Sequence, residues 1–206
     1  MTVQAVPIAP MMGFEDSVQG SQRVFRAVLD AMSHPGKIVD INDVADAPAP
    51  LNKATAAICL TLVDFETPLW ADAEIASSGE AMNYLRFHCG CPVTQDPQAA
   101  RTGLFADASA LTSFERFNGG TDERPDLSTT LIVQVDGLSE SGAMTLSGPG
   151  IQRTRTLGVA GVTSTFWDAV RRNAGLFPRG IDLILTTGEQ IVCLPRTTKV
   201  EGWTCT

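Results

Sequence analysis

Lysine, histidine and tyrosine are scarce in this 206-residue chain. Lys37, Lys53 and Lys199 are its lysines, His34 and His88 its histidines, and it has one tyrosine. Charged residues reach only 18% and aromatic residues 6%. With two histidines and no Gly-x-Ser-x-Gly segment, a hydrolase nucleophile elbow has no support. No Gly-x-x-x-x-Gly-Lys-Ser/Thr run exists, so a P-loop is excluded. The lysines lie beside a turn, at a helix start and near the terminus. None has an apolar pocket for a Schiff base, so pyridoxal phosphate lacks an anchor and no cofactor is expected.

Long apolar runs are also missing. Ala56–Val63, broken by Thr61, falls far short of the roughly 20 residues a bilayer requires. The first arginine is Arg23, so the start of the chain has no basic signal region, and a cytoplasmic protein with no membrane partner is expected. Acidic residues outnumber basic ones by 23 to 15, a net charge of −8. That balance argues against nucleic acid, whose phosphates need clustered cations. Five cysteines (Cys59, Cys89, Cys91, Cys193, Cys205) are an odd number and read as free thiols. Apolar residues, at 44%, suffice for a core, and the thin charged surface suits burial in an assembly.

What is present alternates helix and strand. Residues 1–16 read as an extended arm and 17–206 as one α/β domain. A helix is expected from Ser17 to Ser33, with Val18, Phe25, Val28, Leu29 and Met32 inward, stopped by His34-Pro35-Gly36. Lys37–Ile41 reads as a short strand. A second helix over Leu51–Val63, capped by Asn52, is apolar nearly all round, which places Leu60 in the core. Leu69-Trp70 begins a strand, and Ser77 or Ser78 caps a helix to Phe87. Gly103–Ala106 reads as a strand and Asp107–Phe117 as a short helix. Thr129–Val135 is the strongest strand signal, its successive apolar residues suiting burial on both faces. Ser139–Gly142 reads as a turn pairing Ala143–Leu146 back as a hairpin. Thr163 or Ser164 caps a helix with Phe166, Trp167 and Val170 inward, and Gly180–Leu194 forms a second hairpin. The fold class expected is α/β: three α/β/α layers around a mixed sheet.

Few groups could carry chemistry. His88-Cys89-Gly90-Cys91 offers soft ligands, but one Cys-x-Cys does not make a four-ligand site, and no metal is expected. Adjacent His88 and Cys89 diverge on a helix, which argues against an activated thiol. Gly148-Pro149-Gly150 is a loop whose backbone can approach an anion. Arg196, Thr197 and Thr198 supply a guanidinium and two hydroxyls, and His34 lies in a turn able to join them, so these six form a candidate ligand-binding set. No catalytic residue is assigned. Asp182 opens an apolar strand and needs a partner, a turn amide or an arginine such as Arg179 or Arg196.

Several segments together resemble the PhnH family, the H subunits of the bacterial carbon–phosphorus lyase system. They are Ala31-Met32-Ser33-His34-Pro35-Gly36-Lys37-Ile38, Leu60-Thr61-Leu62-Val63-Asp64, Glu66-Thr67-Pro68-Leu69-Trp70 and Leu85-Arg86-Phe87-His88. Gly148-Pro149-Gly150-Ile151, Phe177–Leu185 and Leu194–Val200 complete the set. Cys89 and Cys91 depart from the family pattern. The resemblance implies a fold like the large domain of pyridoxal-phosphate transferases, without the cofactor. It implies a homodimer in isolation and assembly with the G, I and J subunits. It further implies a supporting, non-catalytic part in making α-D-ribose 1-methylphosphonate 5-triphosphate from ATP and an alkylphosphonate. The alternative is a ligand-binding or transferase subunit that uses the Gly148–Gly150 and Arg196–Thr198 site.

Overall fold

A computed structural model describes residues 11–43 and 46–202. The expected arm therefore lies mostly outside the described residues, and so does Cys205. The elements run α1 (Ser17–Ser33), β1 (Val39–Asp40), α2 (Lys53–Leu62), β2 (Leu69–Ala71), α3 (Ala73–Ser77), α4 (Gly79–Cys89) and β3 (Thr102–Phe105). There follow β4 (Thr130–Gln134), β5 (Gly137–Ser147), β6 (Arg155–Ala160), α5 (Ser164–Ala174), β7 (Asp182–Thr187), β8 (Gln190–Leu194) and β9 (Lys199–Gly202).

Six strands form a mixed sheet in the order β1-β8-β7-β4-β3-β2. β2, β3, β4 and β7 run parallel, while β8 and β1 are antiparallel to their neighbours. Alternating side chains face two separate cores. Leu104, Ile132, Ile184 and Ile191 point to the layer of α1, α2 and α4. Phe105, Leu131, Val133, Leu183 and Leu185 point to α5 and a three-stranded antiparallel sheet, β6-β5-β9. The mixed sheet agrees with expectation. The second outer layer does not: α5 shares it with a second sheet.

That sheet corrects the expected hairpin at Ser139–Gly142. β5 continues through these residues, with an irregularity between Ser139 and Met144, and pairs with β6 and β9. A Cβ on Gly142 would fall on the backbone of Gly158 across the pair. The glycine serves close approach within a bulged strand rather than a turn.

Helix α1 shows the second correction. Asp16 caps it by accepting from the Val18 and Gln19 amides. Its buried residues are Gly20, Val24, Val28 and Ala31, whereas Val18 is 71% exposed, Leu29 52% and Phe25 46%. The small residues let α1 lie close to its neighbours: the Phe14 ring fills the space beside Gly20. The larger apolar residues are left outside. In α2, Ala54–Cys59 are all buried, as expected, and Asn52 caps the helix by accepting from the Thr55 amide. Leu60, expected in the core, is only half-buried: it packs on the outside of that core, with Gly13 beside its side chain.

Asp107 caps only the single 3₁₀ turn Ala108–Ala110, and no helix reaches Phe117. Phe114 and Phe117 instead pack individually into the second core. Ser78, Thr163 and the β7–β8 hairpin stand as expected. Among the described residues no helix is long and apolar enough to cross a membrane.

Candidate functional site

The six candidate ligand-binding residues come from three turns. β5 ends where Ser147 pairs with Lys199, and Gly148 and Gly150 follow with φ of +126° and +83°. Side chains rarely adopt such values. Space is also short. A Cβ on Gly148 would stand 2.8 Å from the Thr197 carbonyl oxygen, and one on Gly150 would collide with the Ser33 carbonyl. The glycine loop is thus wedged between the turn after β8 and the turn after α1. Arg155 clamps the latter, its Nη1 donating to the carbonyls of His34 (2.9 Å) and Pro35 (3.0 Å).

Gly148 therefore meets Thr197, and Gly150 meets Ser33 and Pro35 on either side of His34, whose ring turns to Ser33 and Asp30 instead. The His34 Nδ1 lies 3.0 Å from an Asp30 carboxylate oxygen, and Lys37 Nζ donates to the other at 2.6 Å. The Lys37 hydrogen bond holds the Asp30 carboxyl below its ordinary value. The Thr198 hydroxyl is buried and has no partner among the described residues.

Arg196 belongs to a different node. Its backbone amide donates to Asp182 Oδ1 at 2.8 Å, and its Nε reaches the same oxygen at 3.2 Å. Nη2 donates to Asp182 Oδ2 and to Ser128 Oγ, and Nη1 to the carbonyls of Pro125 (2.9 Å) and Pro178 (3.4 Å). Each of the five guanidinium hydrogens thus has an acceptor. The side chains of Arg196 and Asp182 are only 13% and 23% exposed. The carboxylate that opens β7 finds its partner here, as the sequence leads one to expect, and the arginine's donors are directed away from the glycine loop.

The thiols lie apart from both. Cys59, Cys89, Cys91 and Cys193 are free and buried. Burial pushes all four upward, Cys89 to about 12, and pushes the Tyr84 phenol to about 12. Thiols held neutral in this way are poor nucleophiles. His88 does not serve Cys89: its Nε2 lies 2.9 Å from the Met11 carbonyl oxygen, and its ring packs on Tyr84 with centroids 4.6 Å apart. Among the described residues no group of three or more His, Cys, Asp and Glu side chains is arranged to hold a metal.

Parallel α/β sheets commonly receive ligands beyond the carboxyl ends of their strands. That crevice here has a volume of about 350 Å³, and Glu74, Asp107 and Asp136 are its charged lining. Three carboxylates disfavour a phosphate group at this position. Nearby Lys53 is paired with Glu189 at 2.8 Å.

A family model described as "Bacterial phosphonate metabolism protein (PhnH)" matches residues 12–201. The chain is 40% identical over 188 residues to the "Alpha-D-ribose 1-methylphosphonate 5-triphosphate synthase subunit PhnH" of Rhizobium meliloti (strain 1021), covering 91% of this chain and 94% of that one. It is 31% identical over 180 residues to the "Putative C-P lyase subunit protein HtxG" of Stutzerimonas stutzeri, covering 87% and 85% respectively.

Proposed function

The chain belongs to the PhnH family, and on that footing we propose that it is a subunit of the carbon–phosphorus lyase machinery of organic phosphonate catabolism. In this reading it supports formation of α-D-ribose 1-methylphosphonate 5-triphosphate from ATP and an alkylphosphonate. It does so as an accessory or scaffold component in the cytoplasm, as a homodimer when isolated and otherwise bound to the G, I and J subunits. The observation that carries the reading is the 40% identity to a synthase subunit across nearly the whole of both chains.

The surface supports an assembling role. Val18, Phe25 and Leu29 are exposed and, spaced i, i+7 and i+11, lie along one face of α1. Large exposed apolar side chains mark interaction surfaces when they cluster. Native mass spectrometry after co-expression with the G, I and J subunits tests the proposal. A discrete multi-subunit mass containing this chain is expected. A chain that runs only as a free homodimer would overturn the scaffold reading.

A second reading keeps an anion at the Gly148–Gly150 loop, with Thr197, Thr198 and His34 around it. The unpartnered Thr198 hydroxyl favours it, since a buried hydroxyl without an acceptor is costly. Thr198→Val in the assembled complex decides the matter. Turnover at the unsubstituted rate removes this reading and leaves the hydroxyl a packing feature.

A further inference from the structure

A further cleft is separate from both the glycine-loop junction and the crevice at the strand ends. It has a volume of about 520 Å³ and lies at the C-terminal end of α5, between segments 113–120 and 175–181. A volume of this order is typical of small-molecule sites, which combine an apolar body with a few polar groups. Phe114, Phe117, Ala169 and Ile181 line its depth and are themselves buried. Leu176 lines its rim and is 46% exposed.

Two arginines lie on the same walls, and neither is held by a short contact among the described residues. Arg172 stands in the last turn of α5, where a cation offsets the helix dipole. Its neighbour Arg171 already fills that place, bonding the carbonyls of Val200 and Gly202 and the carboxylate of Asp168. The Arg172 side chain has no hydrogen-bond or salt-bridge partner among the described residues, and the residue is exposed. Arg179 has one long contact, 3.4 Å from Nε to Asp122, with both side chains at least half open to solvent. Such a pair contributes little and is readily exchanged for a better acceptor. Glu115, also on the wall, is the opposing charge; Ser113 adds a hydroxyl.

We propose that this cleft binds a small organic anion, with its apolar body against Phe114, Phe117 and Leu176 and its charged group held by Arg172 and Arg179. A phosphonate, phosphate or sulfonate suits two guanidinium forks better than a single carboxylate does, because it presents three acceptor oxygens. The walls are set in advance. Gly180 N–H donates to the Gly119 carbonyl at 2.8 Å, joining the two segments directly. Arg196 holds the second segment from behind at Pro178 and ties it to Pro125, just beyond the first. A site whose walls are already fixed loses less entropy on binding. The proposal is independent of whether the chain works as a scaffold.

The test uses the full chain with phenylphosphonate as probe, read by calorimetry and by the arginine Nε–H resonances. Inorganic phosphate and benzyl alcohol serve as the charge-only and ring-only comparisons. Phenylphosphonate is expected to bind with a Kd below about 1 mM at low salt, at least about tenfold tighter than either comparison. Arg172→Gln and Arg179→Gln should each weaken it about tenfold. Arg153→Gln, at an exposed arginine that does not line the cleft, should leave it unchanged. Both cleft arginines are exposed, so the variants are expected to keep the parent circular dichroism spectrum. No binding at 10-fold the expected Kd would overturn the proposal. So would binding that survives loss of both arginines, or equal affinity for inorganic phosphate.

Discussion

Arg196 and Arg172 lie on adjoining parts of the structure and differ in what the protein asks of them. Arg196 is largely buried, and all its donors are engaged with Asp182, Ser128 and the carbonyls of Pro125 and Pro178. Arg172 is exposed on a cleft wall with no partner among the described residues. The surrounding sequence suggests the reverse. Pro195-Arg196-Thr197-Thr198-Lys199 resembles an oxyanion grip, while Arg171-Arg172 resembles the ordinary end of a helix. Side-chain chemistry identifies what a guanidinium can hold. Only its neighbours show whether that capacity is already taken.

The largest test of this contrast is Arg196→Ala. It leaves Asp182 without its counter-charge and frees three chain segments, and should cost about 3 kcal/mol of unfolding free energy. Arg196→Lys should recover less than half, because an ammonium cannot reproduce the planar fork. Urea denaturation measures both, and a loss under 1 kcal/mol would remove the structural role given to Arg196. Next in size is Gly180→Ala, at the seam between the two regions. Its φ is +126° and an added Cβ would stand 2.9 Å from Asn173 Oδ1, so a loss of about 2 kcal/mol is expected in the same assay.

pH separates the arginine corner from the opposite face of the sheet. The buried thiols near α2 and α4 do not stay neutral once unfolded. An unfolded thiol loses its proton near pH 8.5, whereas Cys89 holds its own to about 12. Above pH 8.5 the native state therefore binds more protons than the unfolded one, and stability falls as pH rises. The slope is about 1.4 kcal/mol per pH unit for each such thiol. Unfolding midpoints from pH 8 to 11 should decline, and alkylation at pH 8 followed by peptide mapping should leave Cys59, Cys89 and Cys193 unmodified. A flat profile would place these thiols at the surface.

The smallest effects on stability are expected at exposed positions. Arg172→Gln and Phe25→Asp should each change the unfolding free energy by no more than about 0.5 kcal/mol. For Phe25→Asp, any consequence should appear in assembly, as loss of partner subunits in native mass spectrometry. A fall in stability comparable to that of Arg196→Ala would show that Phe25 belongs to the core.

Much of the fold was legible because local signals agreed. The caps Ser78 and Thr163, the turn at Gly188-Glu189 and the apolar β4 all stand where propensity puts them. Helix α1 misled because it carries two apolar stripes. Its large residues Val18, Phe25 and Leu29 outweigh Gly20 and Ala31 on any hydrophobicity count, yet close packing favours the small ones. Gly142 reads as a turn residue locally, because its reason lies at Gly158 on another strand. In the candidate site, the loop chemistry of Gly148, Gly150 and Thr197 was legible, but not that the His34 ring turns to Asp30 and the Arg196 donors to Asp182. The α5 cleft was not, since its walls come from two segments about 50 residues apart without a motif.

The main sheet ends in edge strands of two and three residues, Val39–Asp40 and Leu69–Ala71. Beyond Leu69 the chain adds only a single bridge to Val93. Edges this short give a neighbouring strand few amides to pair with, which protects against fibre-like growth from one molecule to the next. It also restricts how copies or partners can join here. Contacts across this sheet's edges would gain little from backbone hydrogen bonds, so recognition must be carried by side chains. Such contacts are set residue by residue, and a single charge placed among them can abolish association while leaving the fold intact.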